Sequence, residues 1–264
     1  MTMKTFLFSQ CSTRRRFLEG SILTALTMSL AKTLWAREAF LQPTSSVFEK
    51  WLLDLLAAGE RLRTGQISTE VWQSKVDQLY GAVSLGDLKA HIDFDRLTEN
   101  FNIPSAGEKF IDLDPMTGKP FETPPPEIGR VVTKLAGVKR GLNVPPHGHE
   151  NTVSAFLVLL GSFRVQQFDK IQTKANSLVF KKSRDEIQTP GFWSSTSEST
   201  RNMHWLTALS QDSFFFSTKI NAYLPGRPVK GRVNVDLRRP IDHGSDIMEA
   251  KIISDRLAHE IYNG

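Results

Sequence analysis

Two histidines one residue apart, in Pro145-Pro146-His147-Gly148-His149, lead into the apolar run Val153–Leu160, which closes on Gly161. Strand side chains repeat with period two, so a β-strand here puts both imidazoles on one face. Paired imidazoles on a rigid strand are a ready-made half of a metal site. The chain around them must therefore supply a mainly β scaffold and at least one further ligand.

The rest of the chain fits such a scaffold. Short β-type runs separated by turns follow one another at 130–136, 154–167, 177–181, 205–208, 214–220 and 232–237, the texture of a sandwich or barrel. Ahead of them lies a helical stretch. Ser46-Val47-Phe48-Glu49 is a capping box, and Val47, Trp51, Leu55 and Leu62 recur close to a helical period up to Gly65. A second helix is expected from Ser68, with Trp72, Val76, Leu79 and Tyr80 on one face, and a third from Ser84, fading after Leu97. Trp51 and Trp72 read as packing residues. From 103 to 129 the sequence is rich in Pro, Gly and acidic residues and reads as a surface linker or lid. The resulting organisation is a leader over 1–36, helices over 37–102, the linker over 103–129, a barrel over 130–240 and a tail over 241–264 whose segment 247–262 is expected to be helical.

Net charge is +5, but residues 1–36 carry +4 of it, so the body is near neutral and composition makes no case for a nucleic-acid partner. Cys11 is the only cysteine. It precedes the arginine cluster, so a body without it has no disulfides, no cysteine–zinc site and no cysteine nucleophile.

Thr13-Arg14-Arg15-Arg16-Phe17-Leu18 resembles the twin-arginine export signal, with Arg14 and Arg15 as the pair. The stretch from Gly20 to Leu34 is diluted by Ser and Thr and too short for a stable membrane span. This resemblance implies export of a folded protein by the twin-arginine translocase, cleavage near Ala36, a periplasmic or otherwise exported location and no stable span in the mature form. The route is typical of proteins that take up a metal before crossing.

Gly141, five residues, His147-Gly148-His149 and then Gly161 resemble the first motif of the cupins, and Pro190-Gly191 with His204 resembles the second. The resemblance implies a cupin barrel, the double-stranded β-helix or jelly roll, with His147, His149 and His204 as metal ligands. Ser154 occupies the position where most cupins carry a metal-binding Glu. Lack of that Glu, and the layout around His204, resemble the thiol dioxygenase branch, which binds Fe(2+) through three histidines. By that resemblance the chain is a mononuclear iron dioxygenase acting on a small thiol or carboxylate, and an Arg or Lys from an earlier strand, here Arg130 or Lys134, grips the substrate carboxylate. Tyr223 is the nearest counterpart of that branch's active-site Tyr, and Ser154 leaves it no crosslinking Cys. Trp193 and Trp205 are candidate pocket walls. Three histidines equally suit another divalent metal, such as Zn, Mn, Ni or Cu. A metal-dependent isomerase, lyase or hydrolase, or a ligand-binding module without turnover, are the rival readings on the same barrel. Cupins often dimerise by strand exchange, which makes a homodimer the candidate assembly.

Overall fold

The computed structural model describes residues 46–264; the leader, with Arg14 and Arg15, lies outside the described residues. Four helices come first: α1 (Ser46–Arg63), α2 (Thr69–Ala82), α3 (Leu85–His91) and α4 (Phe94–Glu99). Ser68 and Ser84 cap α2 and α3 by accepting from the amides of Val71 and Asp87, three residues on. The third helical stretch is broken at Asp93, whose φ of 51° is left-handed, so α3 and α4 form separate turns. Among the described residues no helix is long and apolar enough to cross a membrane.

Twelve strands follow: β1 (Glu108–Leu113), β2 (Val131–Lys139), β3 (Asn143–Glu150), β4 (Thr152–Leu160), β5 (Phe163–Thr173), β6 (Ser177–Gln188), β7 (Trp193–Thr196), β8 (Met203–Ala208), β9 (Asp212–Asn221), β10 (Lys230–Val235), β11 (Ile241–Gly244) and β12 (Ile247–Ile253), with α5 (Asp255–Asn263) last. They make two antiparallel sheets, ordered β1-β2-β9-β4-β7 and β10-β3-β8-β5-β6-β12-β11. From β2 to β5, and again from β6 to β10, each strand crosses to the other sheet. This winding is the double-stranded β-helix, a mainly β jelly-roll barrel with an N-terminal helical segment.

The helices cover the outer face of the five-stranded sheet. Phe48, Leu55, Trp72, Val76 and Tyr80 pack with Leu135, Leu157, Phe214 and Phe216 in one buried cluster. Trp51 and Trp72 are both buried there. Polar ties fix the registry: the Tyr80 hydroxyl donates to Thr218 Oγ1 at 2.6 Å, and Gln73 Nε2 donates to the Ser195 carbonyl at 3.0 Å. Gly59 allows α1 to reach the sheet, because a Cβ there would stand 2.4 Å from Val131 Cγ2. Strand alternation then turns Ala136, Val138, Phe156, Val158 and Phe215 inward, against Val144, Val165 and Leu206 of the other sheet.

The larger sheet also curls on itself, because β12 pairs with β10 as well as with β6. The circuit β10-β3-β8-β5-β6-β12 is thereby closed around a second core of Phe168, Leu178, Phe180, Met203, Val235 and Ala250, on the reverse of the strands that face the barrel.

Three expectations differ. Segment 247–262 is not one helix: its first part is β12, and only Asp255 onward is helical. Ile247-Met248-Glu249-Ala250-Lys251-Ile252-Ile253 suits either state by periodicity, and pairing with β6 decides it. The 103–129 stretch contains β1, which pairs with β2 over six residues, so it builds the barrel rather than covering it. The run 154–167 is two strands, β4 and β5, divided at Gly161, whose φ of 73° turns the chain.

Candidate metal centre

β3 carries a bulge at Pro145-Pro146, which shifts its register against β8 from Val144↔Leu206 to His147↔His204. The bulge sets His147 directly across from His204, and period two puts His149 on the same inward face. The three rings have centroids 4.3 to 5.4 Å apart. One ring nitrogen from each falls within 4.8 Å of the others.

Hydrogen bonds set the tautomers. His147 Nδ1 lies 2.7 Å from the Pro145 carbonyl and His204 Nδ1 3.2 Å from the Asn202 carbonyl. A carbonyl only accepts, so each Nδ1 carries the proton and each Nε2 keeps its lone pair. Burial, followed by repulsion from His204 and Arg232, holds His147 and His149 well below the usual histidine range. Burial lowers His204 to about 4. All three imidazoles are therefore neutral at pH 7, as metal ligation requires. This donor set fits a divalent ion.

Asn202 holds the ligand strand in place. Its Oδ1 accepts from the His149 amide at 3.3 Å, and its Nδ2 donates to the carbonyls of His149 and Ser197, each at 2.9 Å. Gly148 permits this, since a Cβ there would come within 2.5 Å of Asn202 Oδ1.

Around the histidines the barrel wall is ionised but internally paired. Arg232 is the register partner of His149 on β10. It pairs with Glu108 of β1, and its guanidinium lies 5.5 Å from the centroid of the Phe110 ring. Lys134, on the inward face of β2, bonds Asp112 at 2.9 Å and Glu127 at 2.6 Å. Lys219 of β9 bonds the same Glu127 at 2.8 Å. Burial pushes Glu127 up, but the two lysines outweigh it and hold the carboxyl at about 2. Burial lowers Lys219 despite Glu127, with Lys134 and Arg232 adding to the fall. Ser154 faces inward and bonds Thr196 Oγ1 at 2.9 Å, and among the described residues no carboxylate joins the three histidines.

The other sequence candidates part ways. Lys134 turns inward as its strand position implies. Arg130 precedes β2 and donates to the carbonyls of Pro125 and Pro126, stacked on Phe121. Tyr223 packs in the helix-side cluster with its hydroxyl on Glu198, 2.6 Å away. Trp193 meets Gly81 of α2, and Trp205 faces away from the histidines, bonded to Asn143 and packed edge-on against Tyr262. Neither tryptophan walls the centre. Sequence reasoning passed over Lys219, Glu127, Arg232 and Gln167. Only Lys219 left a trace, in the alternation Phe215, Ser217, Lys219.

No family model matches the sequence, and no curated protein matches it. Partial likenesses exist among solved structures. Procruciferin, an 11S globulin from Brassica napus, is 17% identical with a TM-score of 0.28, over 36% of this chain and 22% of that one. KdgF from a Halomonas species is 21% identical with a TM-score of 0.27, over 34% and 68%. An oxalate oxidase is 17% identical with a TM-score of 0.32, over 48% and 56%. The chain thus spans about a fifth of procruciferin and about half of the oxalate oxidase.

Proposed function

We propose that this chain is an exported metalloenzyme, a three-histidine mononuclear iron dioxygenase acting on a small thiol or carboxylate. The observation that carries this reading is the charge balance of the site. His147, His149 and His204 are neutral, and Lys134, Lys219 and Arg232 are already matched by Asp112, Glu127 and Glu108. A divalent ion held by the three imidazoles keeps its full charge, and an anionic thiolate or carboxylate is the natural further ligand. Ferrous iron bound there supplies dioxygen activation, and in the thiol case both oxygen atoms end on the substrate sulfur as a sulfinate with no external reductant.

The protein's own part is to bind and to orient. Carbonyls of Pro145 and Asn202 fix the tautomers of His147 and His204, and Asn202 pins the ligand strand. Arg130 is taken up by the carbonyls of Pro125 and Pro126, and the inward lysines are paired with carboxylates, so the substrate's negative charge is met by the metal itself. The apolar end of the barrel keeps water from below the site. The twin-arginine-like leader fits loading with iron before export to the periplasm through the translocase.

Metal analysis of protein from the exported fraction, beside His204→Ala, is the test. Stoichiometric iron in the wild type, lost in the variant, with oxygen uptake on adding small thiols, is expected. Stoichiometric zinc, manganese or nickel without oxygen uptake would replace the oxygenase by a metal-dependent isomerase, lyase or hydrolase. Protein that stays in the cytoplasm with Arg14 and Arg15 intact would remove the export reading.

A further inference from the structure

Gln167 lies on β5 directly across from His204 in the β5–β8 register, so its side chain shares the inward face with the metal ligands. It is fully buried, and its Nε2 has no hydrogen-bond partner in the protein. Nearly every buried polar group in a folded protein is satisfied, so a buried amide donor left open beside a candidate metal centre calls for an acceptor.

The amide is held in this sense by its neighbours. Ser194 Oγ lies 2.7 Å from Gln167 Oε1 and 3.2 Å from Arg184 Nη1. The Ser194 hydroxyl accepts from Arg184 and donates to Gln167 Oε1. The relay Arg184, Ser194, Gln167 therefore runs one way and leaves Nε2 as the open end. Ser194 stands on β7, across the barrel interior from β5, so the relay ties the two sheets together at the height of the histidines.

We propose that Gln167 Nε2 is a substrate-orienting donor: it hydrogen-bonds an oxygen of the small anionic ligand held at the His147–His149–His204 centre. The inference rests on the metal-centre reading above and deepens it. A ligand oxygen gains a fixed neutral donor on the His204 side. A thiol or carboxylate held at the histidines would thereby be fixed in one orientation. Gln167 moves no proton; it positions and selects.

The test uses the full chain loaded with Co(II), whose visible absorption reports coordination without turnover, and acetate as the probe. Wild type and Gln167→Met should show the same cobalt affinity. Acetate should bind the variant about tenfold more weakly, because a hydrogen bond to a charged group has been removed. The metal-free variant should melt no lower than wild type, because an unsatisfied buried donor has been deleted. Ser194→Ala keeps the amide but frees its orientation. It should weaken acetate by a smaller factor, and it serves as well if the methionine variant does not fold. Equal acetate affinity in wild type and both variants, with cobalt bound normally, would overturn the role of Gln167 alone. Failure of wild type to give a cobalt spectrum would overturn the metal centre and this inference with it.

Discussion

The two ends of the barrel interior are lined by the same strands and are chemically opposite. At one end the inward residues are Ala136, Phe156, Val158, Val165, Leu206 and Phe215. Two positions along the same strands they become Lys134, Ser154, Gln167, His204 and Ser217, and Lys219 follows two residues beyond Ser217. The change falls at one height on strands of both sheets, as the pairs His147↔His204 and Gln167↔His204 and the tie from Gln167 to Ser194 require. The apolar end carries stability, and the polar end holds buried groups that an apolar core would not tolerate without partners. A scaffold built this way can change its chemistry at one end while its core stays in place.

That division can be broken from either side. The largest effect belongs to the apolar end: Phe215→Ala removes a ring packed edge-on against Phe110, Phe156 and Phe163 and should cost about 4 kcal/mol in urea unfolding. Cobalt affinity of the folded variant should stay at the wild-type value, and its loss would show that the two ends are not separable. At the polar end, Glu127→Gln leaves Lys134 and Lys219 short of their shared carboxylate and should cost about 2 kcal/mol at pH 7. The Glu127 carboxyl lies at about 2 in the folded chain against 4.5 unfolded, so its contribution is present above pH 4.5 and is lost as pH falls through 2. Unfolding free energies measured across that window should show the gap between variant and wild type closing; a gap that stays constant to pH 2 contradicts the ion-pair account. Gly148→Ala is the smallest change. Pushing Asn202 off the ligand strand should cost about 1 kcal/mol and weaken cobalt binding, with the tautomer bonds of His147 intact. An unchanged cobalt titration would remove Asn202 as the residue that positions the pair.

What could be read in the sequence was local. His147 and His149 lie on one face because side chains in a strand alternate, and Ser68 and Ser84 announce their helices by the amide each one caps. His204 was reachable only through the resemblance of Pro190-Gly191 and the histidine after it to a second cupin motif. The remaining site residues depend on pairing between strands far apart in the chain. Nothing within a few residues of Arg232 tells that β10 will lie beside β3, or that Gln167 rather than Gln166 will turn inward beside His204. The bulges in β3 and β5 reset the alternation in ways a period of two cannot foresee. Trp193 and Trp205 failed as site residues for a related reason, since each lies on the other face of its sheet, and Tyr223 falls beyond the end of β9 and packs in the helix-side cluster.

The closed circuit of β10, β3, β8, β5, β6 and β12 also governs when the centre comes into being. β3 finds its neighbours in β8 and β10, each more than fifty residues further along the chain, so the ligand strand is held on both sides only by contacts of high sequence separation. Loop-closure entropy makes such pairings slow to form. Chain synthesis must pass Val235 before His147 and His149 lie between their two neighbours, and the circuit shuts only when β12 has been made. Unlike a short metal-nucleated module, this chain gathers its ligands through folding first, and a metal can stabilise the product but cannot seed it.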